Sequence, residues 1–123
     1  MAISIRRKQV ARSSLFSGVS TASANGTADS GFAGLDAMVC QLIVTVVTGT
    51  TPSMVVKVQD STDNTNWNDL ATFTAATAAT AEVKRVSGPF AEFVRSISTI
   101  TGTTPSFTYT LTSDVEGGRV SKP

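Results

Sequence analysis

The 123-residue sequence predicts an all-β fold, an antiparallel β-sandwich, and three observations predict it. Thr, Ser, Ala and Val dominate, while charged residues make up only 15% of the chain. β-Branched side chains are stiff at χ1 and pack well on a pleated surface. Apolar and polar residues alternate with a period of two in several stretches, which is the signature of half-buried strands. Gly, Pro, Asn and Asp punctuate these stretches at intervals of roughly ten residues, as in all-β domains. The length fits one domain, of a size that often gains stability from partners.

The elements follow in order. Residues 1–35 read as an extended basic N-terminal arm and a loop. Arg6, Arg7, Lys8 and Arg12 fall in the first twelve residues, and the first acidic residue is Asp29. Leu15 to Ala24 reads either as a first strand or as an extended segment lying on a neighbour, and NGTADSGFAG over 25–34 reads as a loop. Residues 36–116 form the expected sandwich, of the jelly-roll or immunoglobulin-like kind, with a closed barrel as the alternative. In Val39 to Val46 the positions Cys40, Leu42, Val44 and Val46 are all apolar, giving one buried face. Met54, Val56 and Val58 alternate with Lys57 and Gln59 in the next strand. Less regular strands are expected over Trp67 to Thr74, Ala81 to Ser87 and Phe90 to Thr99, with AATAATA (75–81) as a loose connection. Phe107, Tyr109 and Leu111 alternate with Thr108, Thr110 and Thr112 in the last strand, and 117–123 form a tail.

One hexapeptide repeats. Thr48-Gly49-Thr50-Thr51-Pro52-Ser53 recurs as Thr101-Gly102-Thr103-Thr104-Pro105-Ser106. Gly allows turn conformations and Pro cannot donate to a central ladder, so both copies read as hairpin connections in matching positions of two sheets.

Charge and chemistry narrow the function. Beyond the basic arm, six basic residues face nine acidic ones, leaving that part at −3. The arm therefore suits an acidic partner surface, and Arg6, Arg7, Lys8 and Arg12 are its candidate partner-binding residues. Four charges without interleaved aromatics give little support to nucleic acid, which is not expected as a partner. Residues 1–24 share the acid-free composition of an organellar transit peptide, and the reading preferred is a tether onto neighbouring chains. No stretch is long and apolar enough for a membrane span, so no membrane partner is expected.

The sequence contains no histidine and one cysteine, Cys40, which reads as a small buried hydrophobe. That removes the commonest general base and any cysteine-rich zinc site, so no catalytic residue, metal or cofactor is expected. Asp60, Asp63 and Asp69 lie in the most polar stretch, whose simplest reading is a turn capped by Asp and Asn side chains. A calcium site is a weaker reading, because the spacing does not match an EF-hand loop. A sugar or protein contact is the other, with Trp67 as platform and Asn64, Asn66 and Asp69 as candidate ligand contacts. Arg95 reads as structural, on a solvent face or paired with Glu82 or Glu92.

The segments Val58-Gln59-Asp60-Ser61, Asn66 to Phe73, Gly88-Pro89-Phe90, Phe93-Val94-Arg95, Thr101-Gly102-Thr103 and Ser106-Phe107-Thr108 together resemble small β-sandwich structural proteins of tailed bacteriophages. In those proteins a Q-x-S-x-D-x-x-x-W-x-D-L segment precedes a strand ending near F-V-R and a Thr/Gly hairpin. The resemblance spans roughly residues 36–114 and leaves the arm without a counterpart. It implies a virion component without catalytic residues: a capsid decoration protein, or a tail or neck accessory. Its partners would be capsid or tail subunits, and symmetric packing would favour a homo-oligomer such as a trimer.

Overall fold

The computed structural model describes residues 9–117, and side chains from residue 14 to residue 115. Arg6, Arg7 and Lys8 lie outside the described residues, and at Arg12 only the backbone is described. Six strands follow one another: β1 (Gln9–Ser20), β2 (Ala24–Asn25), β3 (Ala37–Ser61), β4 (Asn68–Thr72), β5 (Thr80–Ser87) and β6 (Phe93–Gly117). All pairings between them are antiparallel, and no helix occurs among the described residues.

β3 and β6 are 25 residues each and pair with one another from end to end. Their flanks change halfway. Over Ala37–Val44, β3 takes β5 on its free side, while the matching part of β6 takes β1. Over Lys57–Asp60, β3 takes β4, while β6 takes β2 at Ile97 and Ser98. The first half of the sheet thus runs β1-β6-β3-β5 and the second runs β2-β6-β3-β4.

The halves fold onto each other around one core. Met38, Cys40, Leu42 and Val44 from the first half share a buried cluster with Met54, Val56, Val58 and Val94 from the second. Phe107, Tyr109 and Leu111 of β6 join it, as do Phe73 after β4 and Leu15 of β1. Ser96 and Ser98 of β6 line a cavity of about 40 Å³ together with Phe16 and Tyr109. Residues eleven apart on one extended strand can meet only if that strand doubles back, so one continuous sheet forms both layers of a sandwich. Phe16 stacks on Tyr109 with ring centroids 4.3 Å apart. Burial pushes the Tyr109 phenol up from its usual value, and the neighbouring Ser98 hydroxyl opposes that rise.

The bend lies in the hexapeptide repeat, and here the expectation of two hairpins is corrected. Each copy sits in the middle of a continuous strand, and the copies pair with each other: Thr48 opposes Ser106, Thr50 opposes Thr103, and Ser53 opposes Thr101. A local two-fold axis relates them. Gly49 has φ 117° and Gly102 has φ 118°; Thr51 and Thr104 have φ 47° and 45°. A Cβ on Gly49 would stand 2.8 Å from the Pro105 Cα, and one on Gly102 would stand 2.9 Å from the Pro52 Cα. Each copy therefore supplies the space that the other's backbone fills. Pro52 and Pro105 fall where the register slips, so their missing N–H groups leave no ladder bond unmade.

Two further segments are more ordered than the sequence required. Gln9–Ser20 is a sheet strand, which begins earlier than the first strand read as one alternative over Leu15 to Ala24, with a bulge at Ser14/Phe16 that buries Leu15. The loop over 25–34 runs beside the start of β6, with the Gly26, Asp29, Phe32 and Gly34 amides donating to β6-side carbonyls and Phe32 buried. Cys40 is wholly buried, and its thiol is pushed up to about 12, by burial first and by the Asp114 charge second.

Candidate functional site

The richest polar constellation lies on the outer face of the second half. Odd-numbered residues of β3 point outward there, which brings Lys57 and Gln59 to one face while Val56 and Val58 are buried. Gln59 stands opposite Arg95 on β6 and opposite Asp69 on β4. A register shift between Val58 and Gln59 sets that second pairing, and without it Asp69 would not share the Gln59 face.

The side chains form a chain across three strands. Arg95 Nε donates to Gln59 Oε1 at 3.0 Å, and Gln59 Nε2 donates to Asp69 Oδ1 at 2.7 Å. Lys57 Nζ donates to Asp69 Oδ2 at 3.2 Å. The Arg95 guanidinium carbon lies 4.2 Å from the centre of the Trp67 ring, a cation–π stack. The Gln59 hydrogen bond and then Lys57 hold the Asp69 carboxyl below its usual range.

The turn that delivers Trp67 is built on Asp63. Its Oδ1 accepts from the Ser61 hydroxyl and from the Thr65 and Asn66 amides, at 2.9, 2.9 and 2.8 Å. Its Oδ2 accepts from Asn66 Nδ2 at 2.8 Å. The Asn66 and Thr65 amides, foremost among these bonds, hold the carboxyl far below the usual carboxylate range. Asn64 occupies the left-handed region with φ 61°, a conformation that Asn tolerates.

Most of the candidate ligand contacts are engaged within the chain. Trp67 carries a guanidinium on its ring, Asn66 is bonded within the turn, Asn64 is an exposed turn residue, and Asp69 is bonded to Lys57 and Gln59. The three aspartates separate as well. Asp60 is buried, its Oδ2 accepting the Ala91 amide at 3.0 Å, while Asp63 holds the turn and Asp69 lies on the outer face. Among the described residues no three His, Cys, Asp or Glu side chains gather as a metal site would require. Arg95 pairs with neither Glu82 nor Glu92. Glu92 accepts the Gly31 amide, and Glu82 accepts the Thr74 amide and bonds Lys84 at 3.4 Å.

Sequence reasoning passed over Gln59 and Lys57. Their common parity was visible, but the register that sets Gln59 between Arg95 and Asp69 was not. Gln59, Ser61, Asp63, Trp67, Asp69 and Arg95, which carry much of the phage-protein resemblance, turn out to be one turn and one side-chain network.

The outer face of the first half has the opposite character. Val19, Ile43, Val46 and Val83 are exposed there, by 61%, 36%, 50% and 56%. They stand among Thr108, Thr110, Thr112 and Gln41, by the pairing of β1, β6, β3 and β5.

No family model and no curated protein matches the sequence. The fold is similar to that of the PBSX exported protein XepA, with a TM-score of 0.61 and 11% identity, over 92% of this chain and 39% of that one. The chain thus spans well under half of XepA. The fold is also similar to that of Bacillus endospore appendages, a family of disulfide-linked pili, with a TM-score of 0.51 and 17% identity over 96% of this chain and 97% of that one. At these identities the likeness is one of fold.

Proposed function

We propose that this chain is a non-enzymatic structural protein of a tailed-phage particle, a capsid decoration protein that packs on capsid subunits and is tethered by Arg6, Arg7, Lys8 and Arg12. The observation that carries the reading is the outer face of the first half. Four exposed aliphatic side chains in a field of Thr and Gln form a surface suited to packing against protein. The all-β fold supports a structural or binding role. The resemblance to phage structural proteins over residues 36–114 supports the virion, and the likeness to an exported protein and to an appendage fits a life in assemblies outside the cell. A disulfide-linked assembly finds no support, because Cys40 is wholly buried.

A sugar-binding module is the weaker reading, because one face of Trp67 is given to Arg95 and its polar neighbours are bonded internally. Light scattering of the full chain, alone and mixed with phage capsid shells, tests the proposal. The expected result is stoichiometric coating of shells, weakened by at least about tenfold when Arg6, Arg7 and Lys8 are changed to Ser. A monomer that ignores shells would overturn it and point to the tail or neck instead.

A further inference from the structure

The Arg95 network has an unused end. Nε is bonded to Gln59, and the guanidinium carbon lies over the Trp67 ring. The two terminal nitrogens of Arg95 find no hydrogen-bond acceptor among the described residues. Asp69, the carboxylate nearest in the network, is bonded to Lys57 and Gln59 instead.

A guanidinium presents five donors in a rigid planar fork, and its terminal edge matches the two oxygens of a carboxylate. Free arginine side chains lose much rotamer freedom when they bind. This one is already held, on one side by the indole and at Nε by an amide that Asp69 holds in turn, while Lys57 bonds the same Asp69 carboxylate. Its surroundings suit a protein partner. Phe93 and Ile97 flank Arg95 at two-residue spacing on the same face of β6, and both are half-buried, as is Trp67. Trp and Arg beside half-buried apolar side chains that shield them from water are a composition typical of interface anchors.

We infer that Arg95 is the centre of a carboxylate-binding site on the outer face of the second half, preorganised by Trp67 and Gln59, and that its ligand is an Asp or Glu side chain of a neighbouring protein. The charge balance selects a single carboxylate over a phosphate. Asp69, bonded to the same Gln59 side chain as Arg95, would repel a group carrying two negative charges more strongly than a singly charged one. The inference deepens the structural reading above and rests on it only for where the partner comes from.

The experiment uses Trp67, the sole tryptophan of the chain, as its own reporter. The full chain is titrated with a blocked tetraglutamate peptide and, separately, with its tetraglutamine twin, and indole fluorescence is followed. A saturable change with the glutamate peptide alone is expected. Arg95→Gln and Arg95→Lys, each checked for β-structure by circular dichroism, should weaken it by at least about tenfold, since lysine keeps the charge and loses the fork. Equal responses to both peptides would overturn the site, as would no saturation up to about 10 mM glutamate peptide. Where the Arg95 variants fail to fold, the same titration of a chain with Arg6, Arg7, Lys8 and Arg12 changed to Ser, which keeps Arg95, decides: a retained response supports the site, and its loss would overturn it. Shell coating separates this inference from the function proposed above. Coating by a chain that ignores the glutamate peptide sinks the site alone, and peptide binding by a chain that ignores shells sinks the decoration role alone.

Discussion

Among the described residues, two places force a non-glycine residue into the left-handed region, and they are built in opposite ways. At the crossing of β3 and β6, Thr51 and Thr104 have φ near 46°, held by a second copy of the same hexapeptide. In the turn after β3, Asn64 has φ 61°, held by Asp63 one residue before it. A β-branched residue is a poor occupant of this region, whereas Asn is among the best. The crossing imposes its conformation through long-range packing, and the turn chooses residues that want theirs. Strain can be tolerated where two strands lock each other, and it is avoided where only a local side chain does the holding.

The largest effect should come from breaking the lock. Gly102→Ala places a methyl group against the Thr51 carbonyl and the Pro52 Cα, at a φ that other residues rarely adopt. A loss of at least about 3 kcal/mol is expected in urea denaturation, from backbone strain together with overpacking. Gly49→Ala should cost a similar amount by symmetry. The double variant should lose less than the sum, because once one strand is pushed away the other methyl has room. Strict additivity would mean that the copies do not act as one unit.

At the turn the expected effect is smaller. Asn64→Thr installs at the turn the β-branched residue that the crossing tolerates, with no partner strand to impose the conformation. A loss of about 1 kcal/mol in thermal or urea unfolding is expected. A loss as large as that of Gly102→Ala would show that the turn, too, is imposed from a distance.

The same contrast explains what could be read from the sequence. The all-β class and most of the inward faces were legible, because period-two alternation at Cys40, Leu42 and Val44, and at Phe107, Tyr109 and Leu111, is written into adjacent positions. Val46, expected on the same buried face, is exposed because the register shifts between Val44 and Val46. The Asp63 turn was legible because its bonds span two or three residues. The crossing was misread. Gly and Pro in Thr-Gly-Thr-Thr-Pro-Ser are local signs of a hairpin, and nothing local says that residue 48 will pair with residue 106. The repeat itself was the available sign, since two identical segments can pair across a two-fold axis. The candidate site fared similarly. Trp67 and Asp69 stood out by type, but Gln59 joins them to Arg95 only through a register that spans 36 residues and through a bulge at Val58/Gln59. Alternation fixes faces, and register decides which residues on a face meet.

Acid gives the finest separation of the two regions. In the folded chain the Asp63 carboxyl is held far below its usual range, first by the Asn66 and Thr65 amides. In the unfolded chain it titrates near about 3.9. Above that value both states are ionised and the stabilisation is fully present. As pH falls below it, the unfolded chain takes up a proton that the folded chain refuses, so stability declines until the folded carboxyl itself is protonated. Asp63→Asn removes this titration and keeps an oxygen that can accept the same amides. The gap in urea midpoint between wild type and Asp63→Asn should therefore narrow from about pH 6 to about pH 2.5. The crossing contains no titratable side chain in either hexapeptide, so the gap for Gly102→Ala should stay constant over the same range. A gap for Asp63→Asn that stays constant as well would mean that the turn is held by its backbone alone, and that Asp63 is a passenger in it.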